Sequence, residues 1–251
     1  MAADLGRGVT AAPRRVLFVT GEYPPMVGGL ADHTACLRGA LEDAGWSTAV
    51  LTSTDATPST RVSAIVRRWD WSTCDRLRRA IRAHQPDLVH LQYQTAAYGM
   101  HPAICLVPYV LRATGGPPVV VQMHDLRLPY LLPKCAPLRR AVTRALLRWS
   151  SGIILTTRSD VDRVDRWLAA ASAARLTPAG RPITRLIPIG ANLEPNPPPG
   201  YDRAAFRGAL GLDPETIVIA FFGLANQSKG LPSLIEALAA IHGSGRSAHL
   251  L

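Results

Sequence analysis

The sequence predicts an α/β protein with a doubly wound parallel sheet. Apolar runs of strand length recur along the chain and are nearly continuous in apolar residues, which is typical of parallel strands buried on both faces. Segments of helix length separate these runs and carry apolar residues at helical spacing. Because ligands of such sheets bind beyond the carboxyl ends of the strands, function is sought in the loops that follow strands.

Seven runs are predicted to be strands, six of them before a proline-rich segment. In chain order they are Arg15–Thr20, Thr48–Thr52, Asp87–Leu91, Pro118–Met123, Gly152–Thr156, Thr184–Pro188 and Thr216–Phe222. A helix is predicted after the first run, where an apolar stripe extends from Leu30 to Ala44. Another helix is predicted after the last run, with a stripe from Leu231 to Ile241. In both stripes the apolar residues recur three or four positions apart, as one face of a helix requires.

The proline-rich segment divides the chain. Residues 191–201 read A-N-L-E-P-N-P-P-P-G-Y, and this proline density disfavours both helix and central strand. We therefore predict a disordered N-terminus over 1–13, a complete Rossmann-like domain over 14–190, and a linker over 191–201. Residues 202–251 contain one full strand, too little for a doubly wound domain, so we expect them to begin a second domain. The alternative is a short extension packed on the first domain.

Composition excludes several classes of protein. The chain has 251 residues, a net charge of +10 and 47% hydrophobic residues, which is too apolar for disorder. It contains neither a membrane-length apolar run nor a signal-peptide pattern, so we expect a cytoplasmic protein. The four cysteines lack metal-type spacing.

The positive charge indicates an anionic partner but does not distinguish a phosphate, a nucleic acid and a membrane surface. Of the 28 basic residues only Lys134 and Lys229 are lysines. The segment Lys134–Trp149 is basic and amphipathic, so it is either solvated surface or a peripheral contact with an anionic membrane. We expect no nucleic-acid partner, because no recognition motif accompanies the charge.

The loop after the first predicted strand is a candidate anion site. It ends in Gly28 and Gly29, directly before a helix. Free backbone N–H groups and the helix dipole suit a diphosphate there, whereas the alternative is a turn that needs glycine for positive φ. Asp32 and His33 follow in the first helical turn, where they either complement the dipole or bind a polyhydroxyl acceptor.

Two further loops carry polar residues directly after predicted strands. His124 and Asp125 follow the fourth strand, where they either point toward the expected ligand crevice or are simply satisfied at the strand end. His90 lies in a similar position near the end of the third strand. In the last loop, Gly223 ends a strand and Lys229 stands at a helix start. A cation there is unfavourable unless an anion lies beside it, which favours a phosphate contact over a plain solvated residue.

These motifs occur in the order found in a known family. They are Val16–Thr20 with G-E-Y-P-P after it, Gly28-Gly29, Pro86–His90, His124-Asp125, Ile187–Asn192, Phe221–Gly223 and Lys229-Gly230. The set resembles the large glycosyltransferase family 4, of the GT-B fold, over nearly the whole chain. The resemblance implies two Rossmann-like domains and transfer of a hexosyl group from a nucleotide-sugar donor to a glycan, lipid or small-molecule acceptor, with retention of anomeric configuration.

The resemblance also implies roles for the candidate residues. Gly28, Gly29, Gly223 and Lys229 bind the donor diphosphate, and His124 with Asp125 lies at the reacting centre. The acceptor side is formed by Asp32, His33 and Glu22. Neither a metal nor a bound cofactor is expected, because a lysine and helix-end amides stabilise the leaving diphosphate.

Two departures leave alternatives open. Many members carry an arginine where this chain has Leu224, and the family's paired-glutamate motif and base pocket lie beyond residue 251. We therefore expect the chain alone to be a fragment with little activity. One alternative is a nucleotide-sugar epimerase or hydrolase of the same fold, for which Glu22 is the candidate acid/base. The other is a non-catalytic GT-B remnant that binds a glycan or a membrane.

Overall fold

A computed structural model describes residues 14–130, 135–173, 181–191, 196–223 and 229–251. The chain forms two compact units, Met1–Asn192 and Leu193–Leu251, and the division falls inside the predicted linker. The prediction for residues 1–13 and the departure at Leu224 lie outside the described residues.

Seven parallel strands form the sheet of the first unit. They are β1 (Arg15–Thr20), β2 (Ser47–Ser53), β3 (Val62–Val66), β4 (Leu88–Tyr93), β5 (Val119–Met123), β6 (Gly152–Leu155) and β7 (Ile183–Leu186). Their order in the sheet is β3-β2-β1-β4-β5-β6-β7. The predicted α/β class is confirmed, but the count of six strands before the linker was wrong. The prediction missed β3 because this short edge strand follows β2 after a loop, without the intervening helix that marks the others.

The helices cover the two faces of this sheet. They are α1 (Gly29–Asp43), α2 (Thr73–His84), α3 (Val107–Ala113), α4 (Ala136–Trp149) and α5 (Arg158–Ala173), with 3₁₀ turns at Thr95–Tyr98 and Pro102–Leu106. Successive strand residues point to opposite faces, so β1 supplies two cores. Phe18 packs in the cluster that includes residues of α1, whereas Leu17 and Val19 pack with residues of α2 to α5.

The strand order places a topological switch between β1 and β4. The chain leaves β1 toward β2 and β3 and then crosses back to β4, which leaves a crevice at the carboxyl ends of these neighbouring strands. The 3₁₀ turn after β4 packs against the end of β1. The hydroxyl of buried Tyr98 donates to the carbonyl of Gln92 (2.6 Å) and lies 3.3 Å from that of Val19, so it ties β4 to β1.

The second unit is a small α/β arrangement. It consists of α6 (Arg203–Ala209), β8 (Ile217–Ile219), α7 (Leu231–Gly243) and β9 (Ala248–Leu250). Strands β8 and β9 pair in parallel with α7 between them in sequence, so they form a βαβ unit. None of the helices within the described ranges of either unit is long and apolar enough to cross a bilayer.

Candidate functional site

Five polar side chains form a connected network at the carboxyl edge of the sheet. His124 Nε2 lies 2.7 Å from Gln92 Oε1, and Gln92 Nε2 lies 2.9 Å from His90 Nδ1. Gln92 Nε2 also donates to Gln122 Oε1 at 3.4 Å, and Gln122 Nε2 lies 2.9 Å from His33 Nε2. The network therefore joins α1, β4, β5 and the loop after β5 on one face of the sheet.

The hydrogen bonds of the two glutamine amides determine which nitrogen of each imidazole donates and which accepts. Because Gln92 and Gln122 donate through Nε2, His90 accepts at Nδ1 and His33 accepts at Nε2. Since Gln92 Oε1 can only accept, His124 must donate from Nε2. A neutral His124 then keeps its Nδ1 lone pair, for which no partner occurs within the described chain. This atom is therefore available to accept a hydrogen bond.

Burial keeps the imidazoles of His90 and His124 neutral near pH 7. Desolvation, followed by the imidazoles of His33 and His124, lowers the pKa of His90 from 6.5 to about 4. Desolvation followed by the imidazole of His33 lowers the pKa of His124, again to about 4. The rings of His33 and His124 lie edge to face, with centroids 4.9 Å apart. A proton on His124 would therefore be opposed by both burial and a neighbouring ring.

These pKa values predict loss of stability in mild acid. Each imidazole titrates near pH 6.5 when unfolded and near pH 4 when folded, so the unfolded chain binds more protons between those limits. Stability from both groups is present above about pH 6.5 and is lost as the pH falls toward about 4. Urea unfolding should give a free energy about 2 kcal/mol lower per imidazole at about pH 5 than at about pH 7.

The variant His124→Gln is the control for this pH dependence. Its amide replaces the donor to Gln92 but does not titrate, so about half of the acid-induced loss should disappear. An acid-induced loss of the same size in His124→Gln and the parent protein would show that His124 does not contribute.

The glycines of the loop after β1 keep space open before α1. Gly28 has φ 171°, which is extended backbone, and Gly29 is not among the residues with positive φ. The alternative of a turn that needs positive φ is therefore wrong. A Cβ at Gly29 would meet no atom within 4 Å, whereas one at Gly28 would lie 2.9 Å from Glu22 Oε2. No side chain caps α1, so its first N–H groups face open space beside Gly29.

Glu22 and the aspartates lie in different surroundings. The half-buried Glu22 carboxyl lies against Gly28, and desolvation raises its pKa. Asp125 Oδ1 accepts from the Arg127 N–H at 3.2 Å and lies 3.2 Å from the Thr95 hydroxyl, so Asp125 also shapes its own loop. Asp32 is exposed on the first turn of α1. The structure thus brings His33 to His124 and leaves Asp32 outside the network.

In the second unit, Lys229 folds back toward Gly223. The Lys229 Cε lies 3.9 Å from the position of a Cβ at Gly223, and Gly223 has φ 127°, a conformation that disfavours side chains. Lys229 is exposed and precedes Gly230, the uncapped N-cap of α7. The described residues of this unit therefore place a cation beside a helix N-terminus. Across the described ranges of both units, no group of three or more His, Cys, Asp or Glu could hold a metal ion.

A family model for the glycosyl transferase 4-like domain matches residues 28–180, which is more than half of the chain. The chain belongs to this glycosyltransferase family. The match starts at the glycines before α1 and covers His33, the two buried glutamines and His124. The glycosyltransferase assignment suggested by the ordered motifs is thereby confirmed, and transfer of a glycosyl group is the general activity of the family.

Solved structures with similar folds include several glycosyltransferases. A sucrose-phosphate synthase fragment from Thermosynechococcus elongatus is 19% identical, with a TM-score of 0.44, over 71% of this chain and 91% of that one. A UGT transferase from Siraitia grosvenorii in complex with UDP is 15% identical, with a TM-score of 0.48. That alignment covers 94% of this chain but 62% of the other, so this chain spans less than two thirds of its length. No curated protein matches the sequence.

Two glutamines that connect the site were not predicted from the sequence. Gln92 and Gln122 are buried and lie opposite each other in the register of β4 and β5. Both are polar residues within mostly apolar strands, and this signal was present in the sequence. A buried amide requires partners, so each glutamine indicates further polar groups on the same sheet face.

Proposed function

We propose that the chain acts in a retaining hexosyl transfer from a nucleotide sugar to a hydroxyl acceptor. In this proposal the first unit binds the acceptor and the transferred sugar, and the second unit contributes to the site for the donor diphosphate. Family membership supports glycosyl transfer, and the chemistry of the described residues supports these finer assignments.

One observation carries the proposal: the neutral His124 with its free Nδ1 at the end of β5. Its Nε2 is occupied by Gln92 at 2.7 Å, so the ring is fixed and presents only an acceptor to the crevice. A sugar hydroxyl is a suitable donor to that atom. Because the imidazole is neutral near pH 7, we assign it to positioning the sugar and not to protonating the leaving group.

The leaving group requires positive charge, since cleavage of a glycosyl–phosphate bond transfers an electron pair to the phosphate oxygen. We assign this role to Lys229 together with the N-terminus of α7, which has no side-chain cap. Backbone N–H groups at such a helix start can bind phosphate oxygens. These groups make a metal-independent reaction the simplest proposal.

The test is a transfer assay with a panel of nucleotide sugars and hydroxyl acceptors. It uses the 251-residue chain and a form extended at the C-terminus by a complete donor domain. The extended form covers the case in which donor binding requires more strands than β8 and β9. We expect a product with the anomeric configuration of the donor, read by NMR, and activity that survives a metal chelator. No transfer by either form across the panel would overturn the proposal.

The position of Glu22 supports a second candidate, a hydrolase or epimerase of the same fold. Its desolvated carboxyl beside Gly28 has a raised pKa, as an acid/base residue requires. Release of free sugar or of an epimerised donor without acceptor, abolished in Glu22→Gln, would favour this candidate. Release that is unchanged in Glu22→Gln would exclude Glu22 from the chemistry.

Replacing Lys229 by alanine is expected to weaken nucleoside-diphosphate binding by about 1.5–3 kcal/mol, the usual range for a charge-assisted hydrogen bond. Isothermal titration calorimetry of the extended form measures this effect. Lys229→Arg should retain most of the affinity because it keeps the charge. Arg203→Ala removes an exposed cation elsewhere in the second unit and is the matched control. Equal affinity of Lys229→Ala and the control would remove Lys229 from the donor site.

A further inference from the structure

A cavity of about 690 Å³ opens beside His124 in the first unit. Its lining includes Arg127 from the loop after β5, Arg139 from α4 and Arg163 from α5. Three separate elements thus bring a guanidinium to one cavity. Volumes of this order suit small-molecule ligands, and His124 forms part of the same wall.

The carboxylates of the cavity do not neutralise these arginines. Asp160 accepts from the Thr157 hydroxyl at 2.8 Å at the start of α5, and Asp125 is bonded within its own loop. Within the described ranges, none of the three arginines forms an ion pair with a carboxylate. The cavity therefore has three cationic groups and two carboxylates that are held by other donors.

The three arginines differ in their surroundings. Arg139 is half-buried and donates to the carbonyls of Pro129 (2.6 Å) and Leu128 (3.0 Å), so it holds the loop that forms the rim. Its guanidinium also lies 5.5 Å from the ring centroid of Tyr130. Arg163 is exposed and lies over the ring of Trp167 at 5.3 Å, which leaves its N–H groups available.

Tyr130 is held at the rim of the cavity although 60% of it is exposed. Its backbone N–H donates to the carbonyl of Met100 at 2.6 Å, and Arg139 stacks on its ring. An aromatic face and a phenolic hydroxyl at the rim are suited to a sugar or polyol ring. The guanidinium forks of the arginines match a phosphate group, which they bind with two parallel hydrogen bonds.

We propose that this cavity binds a phosphate ester carried by the acceptor, with Arg127 and Arg163 as the anion-binding residues and Tyr130 against the polyol. The assignment to an acceptor rests on the proposed glycosyl transfer, because His124 joins the cavity to the reacting centre. The phosphate ester belongs either to a soluble sugar phosphate or to a phospholipid headgroup, which offer the same chemistry to the arginines.

Calorimetry on the full chain tests the site without any turnover. Glucose 6-phosphate should bind, and unphosphorylated glucose should bind at least tenfold more weakly. Arg163→Ala and Arg127→Ala should each weaken glucose 6-phosphate about tenfold or more, the effect of losing one charge-assisted hydrogen bond. Arg166→Ala is the matched control, since it removes an exposed arginine of the same helix that does not line the cavity. Equal binding by all three variants, or no preference for the phosphate ester, would overturn the proposal.

Two further experiments determine whether the phosphate ester is soluble or part of a phospholipid, and whether this site is distinct from the donor site. Sedimentation with phosphatidylcholine vesicles containing phosphatidic acid, dependent on Arg163 and competed by glucose 6-phosphate, supports the site and assigns it to a headgroup. Binding of glucose 6-phosphate without vesicle binding supports the site and assigns it to a soluble ester. Lys229→Ala should leave glucose 6-phosphate binding unchanged, and its loss there would assign the anion to the donor site and overturn the proposal.

The outcomes also distinguish the two proposals. Arg163-dependent binding without transfer from any nucleotide sugar would refute the proposed function and leave the anion site intact. Transfer that is equally efficient to glucose and glucose 6-phosphate, and unaffected by Arg163→Ala, would refute the anion site alone.

Discussion

Replacing His124 by alanine should lower kcat/KM for sugar transfer about 100-fold, the order of loss expected when a substrate is no longer held in its reactive position. The imidazole is fixed by its Nε2 contact with buried Gln92 and presents Nδ1 to the ligand. Removing the ring removes that acceptor. The measurement is the rate of product formation at subsaturating donor by the form of the protein that is active in the transfer assay.

His124→Gln separates the chemical role from a structural one. A glutamine amide retains the hydrogen bond to Gln92 but lacks an atom at the position of Nδ1, so activity should fall as in His124→Ala while the unfolding free energy stays near that of the parent. His84→Ala is the matched control, because His84 lies at the opposite edge of the sheet, 3.3 Å from the Ser63 hydroxyl. Full activity of His124→Gln would show that Nδ1 does not contact the sugar.

The second large effect is expected on stability. Gly21→Ala should lower the unfolding free energy by about 3 kcal/mol, near the upper end for overpacking. Gly21 is buried at the end of β1, and a Cβ there would overlap Ala97, 2.6 Å from its carbonyl carbon and 2.8 Å from its Cβ. The 3₁₀ turn after β4 must then move, because backbone cannot rotate away as a flexible side chain does.

Gly39→Ala is the same substitution in open surroundings. A Cβ at Gly39 meets no atom within 4 Å, and the residue lies inside α1, so alanine should stabilise the protein by about 0.5–1 kcal/mol. Urea unfolding of both variants under identical conditions measures the contrast. Equal free energies for Gly21→Ala and the parent would contradict the close contact between the β1 loop and the turn after β4.

The strands whose apolar runs lie between helix-length segments were predictable one by one. Runs such as Val119–Met123 carry the signature of burial on both faces, so their position follows from local sequence. The edge strand β3 (Val62–Val66) was missed because it follows β2 after a loop, without the helix that separates the other consecutive strands of this sheet. Its identity as a strand depends on β2 beside it, which is a tertiary condition.

The site residues also divide into those predictable from local sequence and those that depend on the tertiary structure. His124 was predicted because a polar residue directly after an apolar strand points to the ligand end of the sheet. Its protonation was not predictable, since it depends on Gln92 and on the ring of His33, which is distant in sequence. The cavity of Arg127, Arg139 and Arg163 was likewise hidden, because its residues come from a loop and two helices that only the fold brings together.

The sequence by itself determined the α/β class, the order of motifs and the loops in which the polar residues lie. Hydrophobic periodicity and the position of a residue at a strand end are local properties, so they can be recognised without knowledge of the tertiary contacts. Only the tertiary structure decided which of these residues meet. Burial of His90 and His124 beside two amides holds the imidazoles neutral, and that desolvation exists only when β4, β5 and α1 have come together.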